Sequence, residues 1–216
     1  MRVWSAVFFD LDGTLADTVD LIVRCYRHMV EVHRSEPMDD EFWLSTIGRP
    51  LRDQIRELTR DEDEVERMAN TYATYQRTIH DDMVRPFAGA VETVEALKAA
   101  GTRVAVVTSK RRRMALRTLR CCGMEGAFDL LVCADDVTKG KPDPEPVLLA
   151  LDTLGLSDQP ERVLFVGDAP YDILSGRGAG TRTAAVEWGS YPRGVLSEAE
   201  PDYWLGSLGD TLALRP

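Results

Sequence analysis

The sequence predicts an α/β protein, a doubly wound parallel sheet of Rossmann-like form with an inserted α-helical cap. Three observations predict it. Five short runs are apolar nearly throughout, as strands covered on both faces are. Apolar residues at helical spacing separate the later runs, which is the rhythm of parallel strands joined by right-handed crossovers. The stretch 18–85 breaks that rhythm with helical periodicity alone, and it is too long for one crossover.

The elements follow in order. The run 3–9 reads as the first strand, ending at an acidic motif. Val19, Ile22, Val23, Tyr26 and Val30 form one helical stripe, and further helices are expected over 39–47, 51–58 and 63–80. Asp17 with Thr18, and Pro86 with Phe87, mark the hinges. The expected division is a core of 1–16 and 87–216 with a helical cap over 17–86. Val91, Val94 and Leu97 recur at helical spacing before a stop at Gly101. A strand over 104–107 leads to a helix through Met114, Leu116 and Leu119, closed by Gly123. A strand over 130–134 precedes a face of Val147, Leu148, Leu151 and Leu154, closed by Gly155. Strands over 163–166 and 183–186 complete the sheet. The glycines at 176, 178 and 180 follow a helix and precede a strand, the reverse of a dinucleotide loop, so they read as a helix end.

Composition narrows the function. The 216 residues carry 26 basic and 36 acidic side chains, a formal charge of -10. Such a surface repels phosphate backbones and anionic membranes, so neither nucleic acid nor membrane is an expected partner. No apolar run approaches the roughly 20 residues that span a bilayer. Cys25, Cys121, Cys122 and Cys133 match no zinc spacing, and a reduced, cytoplasmic protein is expected.

Four segments carry chemistry. Asp10-Leu11-Asp12-Gly13-Thr14 places two carboxylates at the end of the first strand, a crowding that a cation or a proton must relieve. Gly167-Asp168-Ala169-Pro170-Tyr171-Asp172 places two more at a strand end, and with Asp10 they suit a hard divalent cation such as Mg²⁺. Thr108-Ser109 offers hydroxyls and free backbone N–H groups where a helix opens, an arrangement that serves either as an anion site or as a plain cap. Lys141 is held in a loop between Gly140 and Pro142.

Together these segments, in this order, resemble the haloacid-dehalogenase-like phosphohydrolase superfamily, over essentially the whole chain. The helices between the first two motifs are similar to that family's helical cap. The segment 46–50 and the ending Val186-Glu187-Trp188-Gly189 are most similar to the phosphoglycolate phosphatase and pyrophosphatase branch. The resemblance implies an aspartyl-phosphate mechanism. Asp10 is then the nucleophile and Asp12 the acid and base. Thr108 and the Ser109 N–H hold the phosphoryl oxygens, and Lys141 neutralises charge. Asp10, the Asp12 carbonyl and Asp168 bind Mg²⁺, and Asp172 binds it weakly or orients its waters.

Asp12 argues against the dehalogenase branch, which carries Tyr at that position. The absence of lysine from 17–86 argues against the phosphonatase branch, and the absence of histidine before His28 argues against the hexose-phosphate mutases. The resulting expectation is a Mg²⁺-dependent phosphatase acting on a small phosphorylated metabolite, with phosphoglycolate first. Inorganic pyrophosphate and a sugar phosphate follow, then a phosphomutase or a non-catalytic binding module. Arg49, between Gly48 and Pro50, is the candidate for gripping a second anionic group of the substrate, with Pro50 at the first position of the next helix. The histidines at 28, 33 and 80 and the charged run 110–113 read as packing and solvated surface.

Overall fold

The computed structural model describes residues 4–34 and 38–216. Val3, at the start of the expected first strand, lies outside the described residues. Six parallel strands form one sheet: β1 (Ala6–Phe9), β4 (Arg103–Val107), β5 (Leu130–Val132), β6 (Val163–Gly167), β7 (Arg182–Val186) and β8 (Tyr203–Leu205). Their spatial order is β5-β4-β1-β6-β7-β8. Side chains alternate between two apolar layers. Val7, Phe9, Val104, Val106, Leu164 and Val166 face one way, and Ala6, Phe8, Ala105, Val107, Val163 and Phe165 the other. Both sets are buried, which is why these strands read as continuous apolar runs. The strand β8 escapes that signal because it is a three-residue edge strand with half-buried Tyr203 and Trp204.

Register decides where chemistry can assemble. Phe9 lies beside both Val106 and Val166. The loops that follow these three strands, carrying Asp10, Thr108 and Asp168, therefore leave the sheet at one carboxyl edge.

Helices α1 (Val19–His33), α2 (Asp40–Leu44), α3 (Leu51–Ile55) and α4 (Glu62–Met83) lie between two short strands, β2 (Ala16–Asp17) and β3 (Arg85–Pro86). These two strands pair antiparallel, Asp17 opposite Arg85, so the chain leaves the sheet and returns to it side by side. The long helices α1 and α4 form the body of this helical layer, packing Leu21, Ile22, Cys25, Tyr26 and Met29 against Val65, Met68, Ala69 and Tyr72. Tyr26 stacks on Trp43 at 4.3 Å and donates from its hydroxyl to Gln54 Oε1 at 2.5 Å. The expected helix over 39–47 stops at Leu44. There Ser45 Oγ donates to the Phe42 carbonyl, and Thr46 Oγ1 joins the N–H groups of Thr46 and Ile47 on that of Trp43, so side chains add to the backbone at the helix end. Pro50 corrects its expected position. It has an extended backbone (ψ 133°) and caps α3 from outside.

The remaining helices are α5 (Ala90–Ala99), α6 (Arg112–Cys121), α7 (Glu145–Thr153), α8 (Pro170–Gly178) and α9 (Arg193–Glu198). Two residues counted toward apolar faces point outward. Leu116 is 40% exposed, with Ala115, Thr118 and Leu119 inside, and Leu148 is 47% exposed, with Val147, Ala150 and Leu151 inside.

Candidate active site

Asp10 follows β1 directly and is buried. Its Oδ1 accepts from Lys141 Nζ at 2.8 Å, and the same ammonium reaches Asp172 Oδ1 at 2.5 Å and the Val107 carbonyl at 3.4 Å. Asp172 Oδ2 accepts from the Ala169 N–H at the start of α8. Asp168 has only long bonds, 3.3 Å each, from Thr14 Oγ1, the Ser190 N–H and Ser190 Oγ. Gly13 (φ 80°) is required here, since a Cβ would collide with the Asp168 carboxylate. Gly189 abuts the same carboxylate from the other side.

The electrostatics of this cluster are unbalanced. Oxygens of Asp10, Asp168 and Asp172 lie within 4.8 Å of one another, and all three residues are buried. One ammonium faces three carboxylates. Burial above all pushes Asp10 up to about 7, against the pull of Lys141 and with the charges of Asp172 and Asp12 adding to the rise. Burial raises Asp168 well above the carboxylate range, helped by Asp172 and Asp10. Lys141 stays charged, because its two carboxylates outweigh burial. All-oxygen donors, an excess of negative charge and loosely held Asp168 oxygens fit a hard divalent cation. Asp10 and Asp168 are the freer ligands, since both Asp172 oxygens already accept hydrogen bonds.

Asp12 faces another direction. Its Oδ1 accepts from Thr18 Oγ1 at 2.7 Å and from Lys110 Nζ at 2.5 Å. Asp12 Oδ2 has no partner among the described residues. Lys110 was read in the sequence as solvated, but its side chain is only 7% exposed, and this ion pair is the reason. Thr108 is buried, and its Oγ1 accepts the Lys110 N–H at 3.2 Å, a capping geometry. The Ser109 hydroxyl donates to the Gly48 carbonyl at 2.6 Å, linking the core to the turn before α3. Tyr191 Oη meets the carbonyls of Ser45 and Ile47 at 2.7 and 3.0 Å, and Gly140 packs against Pro50 so closely that a Cβ there would lie 2.7 Å from the ring. The contacts of Ser109, Tyr191 and Gly140 were not legible in the sequence, because each depends on how the helical layer sits over the sheet.

Between that layer and the sheet edge lies a cavity of about 590 Å³. Asp10, Asp12, Thr108, Ser109, Lys141 and Arg49 all line it. Asp168 and Asp172 stand behind Asp10. The lining holds Lys110, Lys141 and six arginines against four aspartates. Arg49 is present at the wall, but its guanidinium is paired with Glu57 Oε1 at 2.5 Å. Trp188 is a packing residue, tilted on Phe87 and donating from Nε1 to the Thr14 carbonyl at 3.2 Å.

A second trio, His80, Asp81 and Cys121, joins α4 to α6. It is already satisfied. Arg117 Nε donates to Asp81 Oδ1 at 2.8 Å, and His80 Nε2 pairs with Thr118 Oγ1 at 2.9 Å.

A family model described as haloacid dehalogenase-like hydrolase matches residues 7–186. The chain is 37% identical over 208 residues to the pyrophosphatase PpaX of Halalkalibacterium halodurans, covering 96% of this chain and 95% of that protein. Among solved structures, a protein from Bacteroides fragilis titled as haloacid dehalogenase-like superposes with a TM-score of 0.89 at 31% identity, over 96% of this chain and 99% of that one. A predicted phosphoglycolate phosphatase from Haemophilus somnus shares the fold, with a TM-score of 0.85 at 24% identity and 97% of each chain covered.

Proposed function

The chain belongs to the haloacid dehalogenase-like hydrolases, and on that footing we propose that it is a Mg²⁺-dependent phosphohydrolase working through an aspartyl-phosphate at Asp10. The observation that carries the reading is the division of labour between the two aspartates of the first loop. Asp10 sits against Lys141 in the buried acidic cluster, while Asp12 is turned toward the cavity with one oxygen anchored by Thr18 and Lys110. Asp10 attacks phosphorus in line as the bond to the leaving oxygen breaks. Asp12, through its free Oδ2, supplies the proton to that oxygen and then takes one from the water that cleaves the aspartyl-phosphate. Thr108, the Ser109 N–H and Lys141 hold the phosphoryl oxygens as charge builds on them. Asp10, the Asp12 carbonyl and Asp168 would hold Mg²⁺, with Asp172 behind, and the ion would supply positive charge to offset that of the nucleophile and the phosphoryl group.

We place inorganic pyrophosphate first among substrates, ahead of the phosphoglycolate that the sequence alone favoured. The relative named as a pyrophosphatase aligns along almost the whole chain. The excess of cations around the cavity supports a small polyanion, because a cleft lined by one sign of charge raises the local concentration of its counter-ion. For an anionic partner, Arg49 would exchange Glu57 for the substrate.

The test is phosphate release from pyrophosphate, phosphoglycolate and a sugar phosphate, with and without Mg²⁺, by wild type and Asp10→Asn. The expected result is Mg²⁺-dependent release, fastest from pyrophosphate, and none above background in the near-isosteric variant. Retention of more than a few per cent of activity by a folded Asp10→Asn protein would remove the covalent mechanism.

A further inference from the structure

Gln76 lies on α4, on the stripe that Ala69, Tyr72 and Ala73 present to the cavity. It is only 6% exposed, yet its carboxamide makes no hydrogen bond to any described residue. Its amide atoms are not among the fully enclosed unpartnered polar atoms of the described residues, so the access they keep is through the cavity that Gln76 lines. The donor and acceptor of Gln76 are therefore open toward the cavity.

What they face follows from their neighbours. Tyr72 and His80 stand one turn before and one turn after Gln76 on the same side of α4. Tyr72, Gln76, Asp12 and Lys110 all line the same cavity. Gln76 thus shares the cavity with the Asp12–Lys110 ion pair. That pair marks where the leaving group departs, since Asp12 Oδ2 is the free oxygen that meets the leaving oxygen.

We propose that Gln76 is a specificity-determining residue, whose amide N–H donates to the far oxygens of an oxyanionic leaving group such as phosphate. An uncharged donor suits this place, because the cavity already has cations in excess. Recognition then rests on direction as well as charge, and a leaving group without such oxygens leaves the amide unpaired. The inference rests on the phosphohydrolase reading above.

The experiment compares Gln76→Leu, which keeps bulk without polar atoms, and Gln76→Glu, which places an acceptor and a negative charge at the same point. Both are assayed on pyrophosphate and on 4-nitrophenyl phosphate with Mg²⁺, after thermal melts establish folding. The ratio of kcat/KM for pyrophosphate to that for the aryl phosphate is expected to fall by about tenfold or more in Gln76→Leu. It should fall further in Gln76→Glu, whose carboxylate repels the departing phosphate. In an Asp10→Asn background, calorimetry with pyrophosphate and Mg²⁺ should show about tenfold weaker binding when Gln76→Leu is added. An equal loss on both probes, or Gln76→Glu matching wild type on pyrophosphate, would overturn the assignment. Turnover of neither probe by wild type would overturn the phosphohydrolase reading itself. The calorimetric comparison would then decide the Gln76 contact, with unchanged affinity counting against it.

Discussion

Replacing Lys141 by methionine keeps an unbranched stem and removes the terminal ammonium with its charge. The consequence can be worked from the site. Lys141 Nζ is the cation that contacts two members of a buried trio of carboxylates, and its side chain is 1% exposed. Without it Asp10, Asp168 and Asp172 face one another at short range with no counter-ion. Breaking a buried ion pair from one side costs about 3–5 kcal/mol. In a chain of this size each kcal/mol moves Tm by about 2–4 °C, so metal-free Lys141→Met should melt about 6–20 °C below wild type. Two conditions should recover part of that loss. Saturating Mg²⁺ binds only the folded state, contributing about 2.7 kcal/mol at a hundredfold excess over Kd. Low pH lets the crowded carboxylates take up protons, so the deficit should be smaller at pH 5 than at pH 8. Lys139→Met is the control, because Lys139 is 69% exposed and its pairing with Asp143 at 3.6 Å is a surface contact worth about 0–1 kcal/mol. Differential scanning calorimetry in chelator and in Mg²⁺ measures all of this. A metal-free Lys141→Met protein melting within about 2 °C of wild type would refute the view that Lys141 holds this cluster together.

Three further outcomes are expected. Asp12→Asn should lower kcat/KM more for alkyl phosphates than for aryl phosphates, whose leaving groups need little protonation; equal losses would leave Asp12 without a proton-donor role. Arg49→Ala should lower kcat/KM for pyrophosphate by about tenfold or more and spare 4-nitrophenyl phosphate by comparison, and Glu57→Gln, which frees the guanidinium, should not weaken pyrophosphate turnover. Burial above all, with Lys110 and Arg117 adding to it against the pull of Asp81, holds His80 below its ordinary value. Below about pH 6.5 the unfolded chain therefore binds a proton that the folded chain refuses, so stability should fall as pH drops. Urea midpoints across pH 5–8 should show this limb flattened in His80→Gln.

The elements most legible in the sequence are those whose pattern and environment agree. Strands β4, β6 and β7 lie within one residue of their expected bounds, because both faces of each are covered and the apolar run is uninterrupted. Where two surfaces compete, legibility fails. Leu148 and Leu116 sit at helical spacing beside core residues, yet the stripe is narrower than the hydrophobic pattern and leaves them at the rim. The strand β8 pairs on one side only and has no continuous apolar signature. In the site, the carboxylates of the first and last motifs and Lys141 converge because each ends a strand or fills a short loop at one sheet edge. Lys110 was misjudged for the opposite reason. Its neighbours Arg111, Arg112 and Arg113 make the segment look like a solvated charged face, and only the arrival of Asp12 from another loop turns one of these four cations inward. Gln76 gives no local signal, since a single polar residue on a helix gains meaning only from the cavity it faces.

The charge of the whole chain and the charge of its cavity have opposite signs, and the ion pairs explain how both coexist. Arg49, Arg52 and Arg56 line the cavity, and each is tied to an acid of the same helical layer: Glu57, Glu66, and Glu62 with Asp53. These pairs are partly exposed and add little to stability individually. Their effect is positional, since a tethered guanidinium cannot swing into bulk solvent and stays within reach of the cavity. Arg111 and Arg113 at the same wall have no ion pair among the described residues, so their charge is not neutralised by a contact partner. The surplus acids lie on the outer surface, where water and salt screen them over about 10 Å. Within the cleft, screening is weaker and the nearest charges dominate. An acidic protein can in this way carry a net negative surface and still present one cleft in which cations outnumber acids.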